Sequence, residues 1–253
     1  MTAGNAPASS SGSQAYGEAW YWDNRYAHDS SIFDWYQKYP SLAPLIRLYV
    51  PRRQPILIVG CGNSAFSEGM VDDGYDEVVN IDISTVVIEA MRMKYLNCPQ
   101  LKYMVMDVRD MSAFGTRSFA AVIDKGTLDS LLCGHNSHHN AAKMLEEVWR
   151  VLKDKGVYIL ITYGSPAYRL TILKDQNWTI KLHVIDKLQS GNNNSSDSEM
   201  SNQEVTSPIP LDANGGGAFP ETAAAAVGVN SDVHYIYVCI KDDSGKEKNE
   251  EEA

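Results

Sequence analysis

The sequence predicts an α/β protein: a mostly parallel sheet with helices on both faces, closed by an antiparallel terminal hairpin. Short apolar runs at 56–60, 77–82, 101–106, 119–124 and 157–162 alternate with segments of helical spacing. Continuous apolar strands of this kind suit a parallel sheet buried on both sides. The last two strand-like runs, 178–185 and 233–241, have no helix between them, so they read as an antiparallel pair. A glycine turn after the first run and an acid ending the second place a ligand site at one sheet edge.

The elements follow in order. Residues 1–15 are small and polar and read as a disordered tail. They lack the basic start and apolar middle of a secretory signal and the arginines of a transit peptide. Residues 16–50 are dense in aromatics and read as a cap of short helices, the last from about Ser41 to Tyr49. Pro51 and Pro55 separate this cap from the first strand. A helix near 64–72 follows that strand, and Ser84 is the expected N-cap of a helix reaching about Tyr95. Leu145, Val148, Trp149 and Leu152 form one apolar stripe of a helix near 139–153. Lys153 and Lys155 would close that helix, with Gly156 in its C-terminal turn. Ser165-Pro166 starts another helix with a cap and an N1 proline. Residues 189–232, rich in Asn, Ser, Gly and Ala, read as a disordered insertion expanding the hairpin loop.

The chain is 253 residues long with 44% hydrophobic content and a net charge of −10. That length supports one domain, 16–241, followed by an acidic tail, 242–253. The acidity is concentrated in the insertion, which has six acids and no Lys or Arg, and in the tail. The remainder is almost neutral, without the basic footprint of a nucleic-acid binder. No run approaches a membrane span. Cys61, Cys98, Cys133 and Cys239 are scattered without CxxC spacing and read as reduced thiols. Residence in the cytoplasm is the expectation. His135, His138 and His139 cluster without a nearby acid or cysteine pair to complete a metal site. They read as a solvated loop, and no metal is expected.

The site candidates start at Gly60-Cys61-Gly62-Asn63-Ser64, where glycines let the backbone pass close to a ligand. Asp82 ends the next strand at a spacing that suits hydrogen bonds from a ribose diol. Asp107, with Val108, follows the third strand and can meet an adenine amine. These features serve an adenosine-containing cofactor. Gly60, Gly62 and Ala65 also satisfy the relaxed dinucleotide fingerprint. A dinucleotide, however, needs a second parallel half, where this chain has a hairpin. S-adenosylmethionine needs only one half.

Tyr21-Trp22-Asp23-x-Arg25-Tyr26, Asp34-Trp35, the GCGNS string, Asp82, Met106-Asp107-Val108-Arg109 and Asp124-Lys125-Gly126-Thr127-Leu128-Asp129 together carry a family likeness. Over about residues 16–188 and the last strand, the chain resembles the class I S-adenosylmethionine-dependent methyltransferases. More narrowly, it resembles the group containing the translation elongation factor 1-alpha lysine methyltransferases. The resemblance implies a Rossmann-like seven-stranded sheet with the last strand antiparallel. It implies that Trp22, Tyr26 and Trp35 close a cap over the cofactor and that Gly60 approaches its amino acid end. Asp82 would hold the ribose with Ile83 beside the adenine. Asp107 and Val108 would read the adenine, and Lys125 would touch the cofactor. The chain departs from the group in its insertion and in Thr162-Tyr163-Gly164-Ser165-Pro166, a region that often meets the acceptor.

Other readings stay open at this point. The aromatic cap also suits simple core, Met91, Met93, Met104 and Met106 suit core filler, and Lys125 suits an ion pair with Asp129. A lysine acceptor must lose a proton before attack, and Asp23, Asp129 and Tyr163 are the candidate catalytic residues for taking it. The expected function is a protein-lysine methyltransferase acting on a protein such as elongation factor 1-alpha. The alternatives are a small-molecule methyltransferase on the same fold or a non-catalytic binding module.

Overall fold

The structure, a computed structural model, describes residues 15–187, 207–211 and 232–242. The expected N-terminal and acidic tails and most of the 189–232 insertion lie outside them. A 3₁₀ turn, Ala15–Gly17, leads into α1 (Ala19–His28) and α2 (Tyr39–Tyr49). The alternating core comprises β1 (Ile56–Val59), α3 (Phe66–Asp72), β2 (Val78–Asp82), α4 (Thr85–Lys94), β3 (Leu101–Val105), β4 (Phe119–Lys125), α5 (Thr127–Leu132), α6 (Ser137–Val151), β5 (Leu152–Thr162) and α7 (Pro166–Leu173). The chain closes with β6 (Trp178–Asp186), β7 (Ile209–Leu211) and β8 (Val233–Lys241).

The sheet order is β3-β2-β1-β4-β5-β8-β6-β7. The pairs from β3 through to β5 are parallel, whereas β8 is antiparallel to both β5 and β6. Strand order reverses beside β1, and this opens a crevice at the carboxyl ends of β1 and β4. The two-residue period of a strand sends successive side chains to opposite faces. Ile56 and Ile58 join the core built with α2, α3 and α4, including Leu42, Met70 and Ile88. Leu57 and Val59 join the core built with α5 and α6, including Leu128, Leu145 and Val148.

The seven expected strands are present, and an eighth, β7, lies inside the segment read as a disordered insertion. It pairs antiparallel with β6 over Ile180–Leu182, covering backbone groups of an otherwise open sheet edge. Helix α5 was not expected, because six residues are too few to show helical periodicity. Ser84 caps α4 as expected, accepting from Val87 N–H. Ser165 precedes Pro166 at the start of α7, but its side chain makes no cap bond.

The C-terminus of α6 corrects the sequence reading. The helix passes directly into β5, and Lys241 of β8 closes it instead of Lys153 and Lys155. Lys241 Nζ donates to Trp149 O at 2.7 Å and Leu152 O at 2.8 Å. Its ammonium also sits 3.8 Å from the centroid of the Trp149 ring. Gly156 lies within β5, beside a register irregularity in its pairing with β4. A Cβ there would fall 2.7 Å from Lys153 O, so close backbone approach is what requires glycine.

Candidate active site

A cavity of about 230 Å³ lies at the carboxyl ends of β1 and β4, beneath the aromatic cap. The turn after β1 forms its floor. Gly60 and Gly62 have φ of +62° and +52°, a region that favours glycine. A Cβ on Gly60 would lie 2.0 Å from Thr127 Oγ1, and one on Gly62 would lie 2.7 Å from the Tyr26 hydroxyl. The bare backbone is therefore needed to seat α5 on one side and the cap on the other.

Asp82 is buried in the wall. Its two carboxylate oxygens accept from Gly62 N–H and Ser84 N–H, each at 2.9 Å. Burial nonetheless pushes its pKa up to about 6: the cavity removes more water than two amides replace. Each oxygen keeps a lone pair, so the site suits a ligand that donates two hydroxyl hydrogens. Ile83 and Val108 supply apolar wall beside it.

Asp107 also lines the cavity, but its carboxylate is already engaged. Arg109 grips both oxygens, with Nη2 to Oδ2 at 2.6 Å and Nε to Oδ1 at 2.9 Å. A second donor from a ligand would have to share these oxygens. Arg109 also donates to Gly17 O at 3.3 Å, which anchors the chain ahead of α1. Trp22 and Tyr26 stack at 5.9 Å within α1 and roof the cavity. Phe33, Trp35 and Tyr163 line it too and remain 47%, 41% and 50% exposed. An exposed aromatic rim at a cavity is the place for a partner group to be received.

The other polar candidates are held by partners far away in sequence. Asp23 is absent from the cavity wall: its Oδ1 accepts from Ser84 Oγ at 2.6 Å and Val86 N–H at 3.2 Å, joining α1 to the start of α4. As a proton acceptor it is misplaced, since both contacts hold it on a helix terminus. Lys125 lines the cavity, yet its ion partner is Asp34 at 3.4 Å and not Asp129. It also donates to Trp35 O at 2.9 Å. Both side chains of that pair are under a tenth exposed, and burial pulls the Lys125 pKa down against the pull of Asp34.

Asp129, on α5, bonds Arg169 Nη2 at 2.5 Å, Thr162 Oγ1 at 2.6 Å and the Tyr36 hydroxyl at 2.7 Å. Asp124, buried at the end of β4, accepts from Thr127 N–H, Leu128 N–H and the Tyr158 hydroxyl. Burial and the nearby Asp129 push its pKa up to about 7. Tyr36 and Thr127 thus line the cavity, and Asp34 and Arg169 hold its Lys125 and Asp129, without any of the four having been assigned a role from sequence. The quoted strings contained Asp34 and Thr127 but not Tyr36 or Arg169, and they revealed none of the partners.

The Arg169–Asp129 pair yields a stability prediction. Replacing Arg169 with Met strands a buried carboxylate and is expected to cost about 3–5 kcal/mol. The Arg169→Met/Asp129→Asn double variant is expected to recover most of that in urea denaturation.

Among the described residues no cluster of three or more His, Cys, Asp or Glu side chains is arranged to hold a metal ion. No described helix is long and apolar enough to cross a membrane.

Comparison with known proteins agrees with this geometry. The family model described as a methyltransferase domain matches residues 57–160, from β1 to within β5. The relative named EEF1A lysine methyltransferase 4 of Bos taurus is 37% identical over 164 residues, covering 61% of this chain and 64% of that protein. The eEF1A lysine and N-terminal methyltransferase of Homo sapiens is 35% identical over 190 residues, covering 70% of this chain and 26% of that one. The chain therefore spans less than two thirds of either relative's length. A SAM-dependent methyltransferase structure from Methanosarcina mazei superposes with a TM-score of 0.55 at 15% identity, covering 83% of this chain and 99% of that one. That superposition supports the fold alone. With sheet order, glycine turn and sequence similarity in agreement, residues 57–160 carry a methyltransferase domain, and the chain is similar to the class I S-adenosylmethionine-dependent methyltransferases and, in sequence, to relatives named eEF1A lysine methyltransferases.

Proposed function

We propose that this chain is an S-adenosylmethionine-dependent protein-lysine methyltransferase that acts on elongation factor 1A in the cytoplasm. The observation that carries the reading is the buried Asp82 carboxylate set against the Gly60–Gly62 turn, in a cavity that opens on an aromatic rim. The residues present fit the cofactor. Asp82 has lone pairs for the ribose diol, Gly60 and Gly62 leave room for close approach, and Ile83, Val108, Trp22 and Tyr26 offer apolar walls to the adenosine. Asp107 is assigned to support the adenine pocket through Arg109, and Lys125 to hold the cap loop. The names of the relatives support the lysine acceptor and the elongation factor. The four cysteines are free, which suits a reducing compartment.

Bound S-adenosylmethionine supplies a sulfonium methyl: the substrate nitrogen's lone pair forms the N–C bond while the C–S electron pair stays on sulfur. The protein's share is alignment and exclusion of water. The lysine must first lose its ammonium proton, and bulk solvent is the acceptor this reading assigns, since Asp23 and Asp129 are held by protein donors.

Two measurements test this. Purified elongation factor 1A incubated with labelled S-adenosylmethionine and the protein is expected to gain methyl groups on lysine, located by mass spectrometry. Label appearing only in small molecules of a cell extract would refute the protein substrate. Cofactor affinity should also depend on pH. Ribose hydroxyls favour the ionised Asp82, so binding lowers a pKa that starts at about 6 and releases a proton. Affinity is expected to fall by up to about tenfold per pH unit below that value and to flatten above it. Calorimetry across pH 5–8 would read the slope, and Asp82→Asn should abolish it.

A further inference from the structure

We infer that Tyr36 is the residue that orients the acceptor amine, and that the Asp124-Lys125-Gly126-Thr127-Leu128-Asp129 segment holds Tyr36 in place for that purpose. The inference deepens the proposed function and rests on it for the identity of the acceptor.

The first observation is backbone strain. Tyr36 has φ of +63°, and Gln37 N–H donates to Trp35 O at 2.8 Å across it. This is a γ-turn with positive φ, a rare and strained conformation for a residue with a side chain. Such a turn persists only where its surroundings hold it. Here Lys125 Nζ binds the Trp35 carbonyl, and its ion partner Asp34 also takes the Ser64 hydroxyl. Gly126, at φ +93°, leaves space for the ring, since a Cβ there would lie 3.1 Å from Tyr36 Cε2. Gln37 Nε2 ties the following residue to Asp186 O at 2.6 Å.

The second observation is the fate of the hydroxyl. Tyr36 donates its only hydroxyl proton to Asp129 Oδ2 at 2.7 Å. Asp129 is itself held by Arg169 and Thr162, and side-chain exposure of the Asp129–Arg169 pair is 4% and 7%. The phenol oxygen can therefore only accept further hydrogen bonds. A neutral amine has N–H groups to donate to it and one lone pair left for attack, so a fixed acceptor decides where that lone pair points. Asp129, whose carboxylate is filled by protein donors, is a positioning residue rather than the proton acceptor expected from sequence.

The third observation is location. Tyr36 and Tyr163 line the same cavity as Asp82, with ring centroids 6.3 Å apart. They stand over the ends of β4 and β5, across the strand-order reversal from Asp82 on β2. The ribose carboxylate and the Tyr36 oxygen thus mark two ends of one cavity.

The test uses the full chain loaded with S-adenosylhomocysteine and n-butylamine as the acceptor probe, with amine binding followed by NMR line broadening. Tyr36→Phe keeps the ring and loses the oxygen. It is expected to weaken butylamine binding about 3- to 10-fold and to leave S-adenosylhomocysteine affinity unchanged. On elongation factor 1A, kcat should fall about 10- to 100-fold with little change in the cofactor's KM. Asp129→Asn should lower kcat similarly, and the double variant should be no worse than either single one. A merely structural role for Asp129 would not produce that non-additivity. Butylamine binding equal in wild type and Tyr36→Phe, or absent from wild type at high amine concentration, overturns the inference. Weakened butylamine binding without methylation of elongation factor 1A upholds Tyr36 and overturns the substrate.

Discussion

Asp82→Ala is expected to abolish measurable cofactor binding, with affinity falling by at least about 100-fold. The carboxylate, at the end of β2, is the acceptor the proposed function assigns to the ribose diol, and hydrogen bonds to charged groups contribute about 1.5–3 kcal/mol each. Losing two of them removes about 3 kcal/mol or more, which is two decades in Kd. The fold should survive. Asp82 is a buried charge whose pKa is raised by desolvation, so removing it relieves one cost while leaving Gly62 N–H and Ser84 N–H without their acceptors. Calorimetry with S-adenosylmethionine reads the first effect and thermal denaturation the second. An Asp82→Ala protein that binds the cofactor like wild type would remove the basis of the proposed function.

Gly60→Ala should be the most damaging small substitution in the site. An alanine at φ +62° is strained by about 1–2 kcal/mol. Its methyl would also overlap Thr127 Oγ1 at 2.0 Å. Thr127 cannot move away freely, because its hydroxyl donates to Val59 O at 2.9 Å and its N–H to Asp124 at 2.7 Å. Its displacement would loosen the first turn of α5 and with it Asp129. The combined cost is expected to be about 3–5 kcal/mol, lowering Tm by roughly 10 °C and eliminating activity. The Gly60→Ala/Thr127→Ala double variant separates the causes: it should recover the part due to overlap and keep the part due to backbone strain. If Gly60→Ala melts with the wild type, the tight seating of α5 on the glycine turn is not what holds this region.

The same segment shows how far the sequence reaches. Lys125 carried a proposed ion pair with Asp129, four positions away, but its partner is Asp34 in the cap. Asp129 was a candidate proton acceptor and is instead saturated by Arg169, Thr162 and Tyr36. Asp23 was another candidate and instead joins α1 to the start of α4. In each case the residue's partner comes from a distant element. Asp107 is the exception in range: its partner Arg109 lies two positions on, and reading it for the adenine alone overlooked that neighbour.

The amino-acid sequence determined the alternation of strands and helices, the glycine turn with Asp82 at the neighbouring strand end, and the antiparallel closure. These follow from local periodicity and from backbone conformations that only certain residues tolerate. Tertiary structure decided which charges are neutralised, which carboxylates burial forces upward in pKa, and that Tyr36 sits in a strained turn at the cavity. Such outcomes depend on how much water distant elements exclude and which donors they bring, and spacing along the chain encodes neither.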